Sequence, residues 1–107
     1  MAGRSLSASD VFAALSDAQR LRLLKRLSDG ERHSISELSN GAGVTRQAVT
    51  RHLRVLEGAR LVRGKRDGRE HLWSLDEAGL AAAQSELDAI ARAWRTKLAR
   101  LKRLVEE

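Results

Sequence analysis

The chain of 107 residues contains neither cysteine nor proline. The first absence removes disulfides, thiolate metal sites and cysteine redox switches together. The second leaves nothing that forbids a long helix interior. Aromatic side chains are limited to Phe12, Trp73 and Trp94. A core therefore has to be assembled from leucine, valine, isoleucine and alanine, and leucine at helical spacing favours an α-rich fold. No run of ~18 apolar residues occurs, so no membrane span is expected. Residues 1–10 are polar and lack the apolar segment of a secretory signal, which points to a cytoplasmic protein. Phosphate loops, dinucleotide glycine patterns and Gly-x-Ser-x-Gly elbows are also missing. His33, His52 and His71 fall at no metal-ligand spacing. Glu37, Glu86 and Asp88 make no evident carboxylate pair. No enzyme activity, metal or cofactor is expected on these grounds.

What the chain does have is positive charge. The formal net charge is +6, a balance that suggests an anionic partner, most often nucleic acid. The charge is concentrated. Between residues 45 and 71 stand eight basic and three acidic side chains, five of the six net positive charges. The densest part is 63–69.

Three regions follow from the pattern: a loose N-terminus over 1–8, a core unit over 9–75 and a long helix over 76–107. Ser9 is a candidate cap for a first helix carrying Val11, Phe12 and Leu15. The run Ser16-Asp17-Ala18-Gln19 fits a capping box for a second helix, with Leu21, Leu23, Leu24 and Leu27 as its apolar set. Asp29-Gly30 ends it. Ser34-Ile35-Ser36-Glu37 is another capping-box pattern, opening a short helix with Leu38 pointing inward. The run Asn40-Gly41-Ala42-Gly43-Val44 then breaks the chain sharply. Thr45 caps the next helix, predicted to run to about Ala59.

Beyond it, Leu61-Val62-Arg63 and Leu72-Trp73-Ser74 are strand-like and flank Asp67-Gly68, a strong hairpin signal. A loop of those two residues would set Lys65 against Glu70 and Val62 against Trp73. Asp76 starts the last helix, predicted to reach about Val105. Its apolar positions Leu80, Ala83, Leu87, Ala91, Trp94, Leu98, Leu101 and Val105 recur at steps of three and four, close to a heptad seam. A dimer seam is the favoured reading, because one chain offers few partners for so long a stripe. Arg92, Arg95, Lys97, Arg100, Lys102 and Arg103 fall mostly off the seam and read as a solvated face.

The helix from Thr45 to Ala59 carries the recognition chemistry. Val49, Leu53 and Leu56 make its buried stripe. Arg46, Gln47, Thr50, Arg51 and Arg54 share the opposite face, which holds no acidic residue. Arginine forks suit guanine, the amide suits adenine and the threonine methyl suits thymine. His52 adjoins that face and either reaches a phosphate or packs at the helix edge. With the short helix and glycine turn before it, the arrangement is a helix-turn-helix, whose second helix enters the major groove. The basic ribbon with Lys65, Arg66 and Arg69 can touch phosphates or the minor groove.

The order of elements resembles the ArsR family of winged-helix repressors. The likeness is carried by Phe12 to Asp17, by Arg20 with Leu23, Leu24 and Leu27, by Ile35 to Leu38, by Val44 to Leu56, and by Leu61-Val62 with Gly68-Arg69-Glu70. It covers about residues 10–76. The resemblance implies a mostly α winged helix-turn-helix with a small hairpin wing. It also implies a symmetric homodimer that occupies an inverted repeat in double-stranded DNA and blocks transcription. By that likeness Thr45, Arg46, Gln47, Thr50, Arg51 and His52 contact DNA. The first and last helices pair, burying Phe12, Leu87, Trp94, Leu98 and Leu101, with Ala91 on the same seam. Many family members sense metals through a cysteine pair near the short helix, or through histidine and carboxylates on the last helix. This chain has no cysteine and no histidine there, which resembles a metal-independent branch. A proline usual after the aspartate at position 17 is replaced by Ala18. A sequence-neutral architectural DNA binder and a helical protein-interaction module stand as alternatives.

Overall fold

The computed structural model describes residues 7–41 and 43–106. The segment 1–6, within the expected loose N-terminus, and Ala42, within the glycine turn, lie outside the described residues. Five helices and a three-stranded antiparallel sheet follow in the order α1 (Ala8–Leu15), α2 (Ala18–Leu27), β1 (His33–Ser34), α3 (Ile35–Ser39), α4 (Arg46–Gly58), β2 (Val62–Asp67), β3 (Glu70–Leu75) and α5 (Glu77–Glu106). This is the winged helix-turn-helix architecture, with α3 and α4 as the helix pair and β2–β3 as the wing.

Local chemistry sets the helix starts. Ser34 and Glu37 form the expected capping box: the Ser34 hydroxyl accepts from the Glu37 amide at 3.2 Å and the Glu37 carboxylate accepts from the Ser34 amide at 3.1 Å. Thr45 Oγ1 accepts from the Ala48 amide at 3.0 Å and caps α4. Gly41 and Gly43 take left-handed φ of 70° and 69° in the turn between these helices, where a side chain would be strained. Two caps differ from expectation. Ser7, not Ser9, caps α1, so Ser9 lies inside its first turn. Asp17, not Ser16, caps α2, its carboxylate accepting from the Gln19 and Arg20 amides at 2.8 and 3.1 Å. Ser16 is already committed to closing α1, its amide donating to the Ala13 carbonyl. With helices so closely spaced, the acidic residue takes the N-terminal donors, where a negative charge is favoured.

The core gathers Val11 from α1, Leu23, Leu24 and Leu27 from α2, Leu38 from α3, Val49, Leu53 and Leu56 from α4, and Trp73 from β3. Leu21, expected in the apolar set of α2, is 41% exposed. It stands two residues from Leu23, on the far side of a helix of 3.6 residues per turn. Trp73 is fully buried and pins the sheet to the helices.

The hairpin exists, but its register is not the expected one. Asp67 pairs with Glu70, so the loop residues are Gly68 and Arg69. Lys65 therefore opposes Leu72 rather than Glu70, and Val62 opposes Leu75 rather than Trp73. The reason is turn chemistry. Gly68 has φ 62° and is the only loop residue at positive φ, which suits a two-residue turn with glycine first, rather than Asp-Gly with both residues left-handed. A third strand was not expected at all: His33 pairs with Trp73 and Ser34 with Leu72. Two residues are too short for an alternating pattern to register in sequence.

Helix α5 runs for 30 residues. Its first turns belong to the core, with Gly79 and Ala83 buried and Leu80 packed against the cluster. From Leu87 onward its apolar stripe leaves the core: Leu87 is 53%, Trp94 59% and Leu101 51% exposed.

Candidate nucleic-acid interface

Helix α4 presents its polar face outward because Val49, Leu53 and Leu56 are drawn fully into the core. That orientation leaves Thr45, Arg46, Gln47, Arg51 and Arg54 exposed and Thr50 half-buried. Thr50 Oγ1 donates back to the Arg46 carbonyl at 2.9 Å, so its methyl is turned away from that bond. Arg46, Gln47 and Arg51 stand clear on the open face, with no ion pair or hydrogen bond of their side chains recorded among the described residues. Thr45 has a double place, since its hydroxyl is also the helix cap.

His52 sits apart from this group. It is half-buried and lines a small apolar hollow with Leu23 and Arg26 of α2, Leu38 of α3 and Val44. Nearby Arg26 donates to the Leu38 carbonyl at 3.2 Å and ties α2 to α3.

The wing carries its charge outward. Arg63, Lys65, Arg66 and Arg69 are all exposed. Its tip and the start of α4 bound a concavity lined by Ser34, Ile35, Ser36, Arg46, Arg69, Glu70 and His71. Arg46 and Arg69, far apart in sequence, are thus neighbours across one hollow. The pattern in the chain does not single out Ser36, which reads only as part of a capping sequence. The signal for it is the helix pair itself, whose first helix crosses the DNA backbone.

Arg54 is bound on both sides. Its guanidinium lies 5.4 Å from the centroid of the Trp73 ring and Nη1 donates to Glu57 at 3.3 Å. Glu57 is the one acidic residue of α4. It falls about three turns after Arg46, so the face expected to hold no acidic residue carries this one carboxylate, half-buried and bonded to Arg54.

This geometry can approach duplex DNA with the exposed Arg46, Gln47 and Arg51 and a cationic ribbon beside them. Among the described residues no helix is long and apolar enough to cross a membrane.

Known proteins resemble this chain in sequence and fold. A family described as a helix-turn-helix domain matches residues 15–65. The HTH-type transcriptional regulator Rv2034 of Mycobacterium tuberculosis is 36% identical over 95 residues, covering 89% of this chain and 85% of that protein. The HTH-type transcriptional repressor SmtB of the same species (strain H37Rv) is 33% identical over 87 residues, 81% of this chain and 62% of the relative. Among solved structures, an ArsR-like transcriptional regulator from Rhodococcus sp. RHA1 superposes with a TM-score of 0.77 at 34% identity, covering 91% of each chain. Relatives matched over nearly the whole chain, in sequence and in fold, are transcriptional regulators of this architecture, and the protein belongs to the ArsR family of winged helix-turn-helix transcriptional regulators.

Proposed function

We propose that the protein is a homodimeric repressor that binds an inverted-repeat operator at the chromosome, in the cytoplasm, and blocks transcription there. The observation that carries the reading is the exposed face of α4 with Arg46, Gln47 and Arg51, whose single carboxylate, Glu57, is bonded to Arg54, beside the cationic wing. Each recognition helix enters a major groove, the two lying ~34 Å apart as twofold symmetry on B-DNA requires. Arg46, Gln47, Thr50 and Arg51 meet base edges, and Thr45 and His52 approach the backbone from the helix start and edge. Arg54 adds positive charge at the far end of the face. Lys65, Arg66 and Arg69 grip flanking DNA, mostly at phosphates.

Dimerisation rests on a separate observation. Leu87, Trp94, Leu98 and Leu101 form an exposed apolar stripe along α5, with Ala91 half-buried on it. Half-buried Phe12 on α1 extends it, since α1 packs against the start of α5. An apolar stripe of this length facing water marks a partner surface. A second copy supplies the same stripe by symmetry. One relative is by name a repressor, which supports the sign of regulation.

The test is fluorescence anisotropy of the purified protein on duplexes tiling the DNA upstream of its own gene, at physiological salt, with shuffled duplexes as controls. Tight binding to one tile at two chains per duplex is the expected result. Equal affinity for every duplex would make it an architectural protein instead. No binding to any duplex would overturn the reading in favour of a protein-interaction module.

A further inference from the structure

Arg54 shares a helix face with Arg46, Gln47, Thr50 and Arg51, yet its side chain is directed at the wing. Two ties hold it there. The first is its guanidinium over the Trp73 ring on β3, at 5.4 Å, within the range of a cation–π contact. The second runs through Glu57. One carboxylate oxygen of Glu57 accepts from Arg54 at 3.3 Å, and the other accepts from the backbone amide of Gly64 on β2 at 3.4 Å. Both strands of the wing are thereby joined to α4, β3 through Arg54 and β2 through the Glu57 that holds Arg54.

The wing is built to receive this contact. Trp73 is fully buried, and its Nε1 has no hydrogen-bond partner among the described residues. The ring is therefore placed by its faces rather than by a polar anchor. His71 stacks against it with centroids 4.5 Å apart and planes 22° from parallel. Gly64 stands directly across from Trp73. A Cβ at that position would collide with both the His71 and Trp73 rings, so a glycine is what lets them lie across β2.

We propose that Arg54 is a positioning residue, which fixes the angle of the wing to the recognition helix through Trp73 and Glu57 and reaches DNA through the wing arginines. This rests on the DNA-binding reading above. It reassigns Arg54 from a contact of its own to the joint between the two contacting elements, which sets how far the wing lies from the groove that α4 occupies.

The spectroscopy uses the full chain carrying Trp94→Phe, so that Trp73 is the sole tryptophan, and the binding measurements use the unaltered sequence as parent. In the free protein, Arg54→Gln is expected to change the Trp73 emission and near-ultraviolet dichroism while leaving far-ultraviolet dichroism unchanged. In operator binding, Arg54→Gln weakens affinity about tenfold in the parent, but less than about twofold once Arg66→Ala and Arg69→Ala are present, since coupled residues are non-additive. Glu57→Ala supplies the opposing sign. It removes a negative charge near DNA yet weakens binding, because the Arg54–Gly64 bridge is lost. Equal losses from Arg54→Gln in both backgrounds would overturn the proposal, as would tighter binding by Glu57→Ala, since either makes Arg54 a direct contact. An unchanged Trp73 signal would also overturn it. If the parent binds no duplex, the DNA-binding reading fails and the claim about DNA with it, while the Trp73 signal still decides whether Arg54 holds the wing.

Discussion

Gly79, in the first turn of α5, donates its amide to the carbonyl of Arg60 at 2.7 Å. Arg60 follows α4 and is the one described non-glycine residue at positive φ, 57°. It closes the helix by a Schellman pattern: the Arg60 amide donates to the Glu57 backbone carbonyl and the Leu61 amide to the Leu56 carbonyl. A Cβ at Gly79 would lie 2.6 Å from the carbonyl oxygens of both Ala59 and Arg60. These are backbone atoms, so no rotamer change relieves the clash. Gly79→Ala is expected to destabilise the fold by about 2–3 kcal/mol, in the range of overpacked sites. Arg60→Gly is expected to raise stability by up to about 1 kcal/mol, because glycine accepts the left-handed conformation. Urea unfolding of both variants checks the pair.

His33 gives the stability a pH dependence. Nε2 meets Asp29 at 2.8 Å and Nδ1 meets Glu37 at 3.2 Å. Burial on its own disfavours the imidazolium, but the two carboxylate hydrogen bonds outweigh it and raise the pKa of His33. The Asp29 pKa is lowered, first by the Glu31 amide and then by His33, and the Glu37 pKa first by the Ser34 amide and then by His33. A raised histidine pKa stabilises the fold fully below its ordinary value of about 6.5, and the gain is lost as pH rises through the folded value. The lowered carboxylates contribute above their ordinary values of about 4, and lose that gain as pH falls. The network is therefore strongest between roughly pH 4.5 and 6.5. The Tm of the wild type should fall relative to His33→Gln as pH is raised from about 6 to 8. Parallel Tm curves for the two proteins would remove the network from the account.

Base reading and backbone grip should separate on mutation. Gln47→Ala is expected to relax base preference at one position per half-site, at a cost of about 1–3 kcal/mol on the best sequence. Arg66→Ala and Arg69→Ala should instead weaken all duplexes alike and reduce the salt slope by about one each per chain. Competition titrations at several salt concentrations distinguish them. An unchanged slope for the wing variants would take the wing out of the contact set.

The α5 stripe makes a demand on assembly. Leu98→Glu places a charge on the exposed seam between Trp94 and Leu101. Sedimentation is expected to show a monomer that keeps its helical dichroism, because the seam beyond Leu87 contributes nothing to the buried core of one chain. Operator affinity should drop by more than about tenfold, since each monomer grips a single half-site. A variant that sediments as a dimer would place the interface elsewhere.

The cap of α4 can be judged apart from any DNA contact. Thr45 Oγ1 accepts the Ala48 amide at 3.0 Å. Thr45→Ser keeps that acceptor and should be near neutral, whereas Thr45→Ala should cost about 1 kcal/mol. Thermal unfolding without DNA is the measurement.

The sequence by itself determined the features that depend on neighbours a few residues apart. The Ser34–Glu37 capping box and the Thr45 cap follow from groups three residues apart. The buried stripe of α4 and the length of α5 follow from the 3.6-residue period. Where two local signals competed, as for Ser7 against Ser9 and Ser16 against Asp17, the helix start moved by one or two residues. Only the tertiary structure decided how distant segments meet. The wing register shifted because Gly68 took the first turn position and Trp73 found the gap above Gly64. The pairing of His33 with Trp73 added a strand that two residues could not announce. Arg54 belongs to the polar face of α4 by its spacing, but a spacing along one helix says nothing of the ring beside it. Its direction was set by a buried tryptophan nineteen positions away, because packing joins residues by volume and shape, which a periodic pattern does not encode.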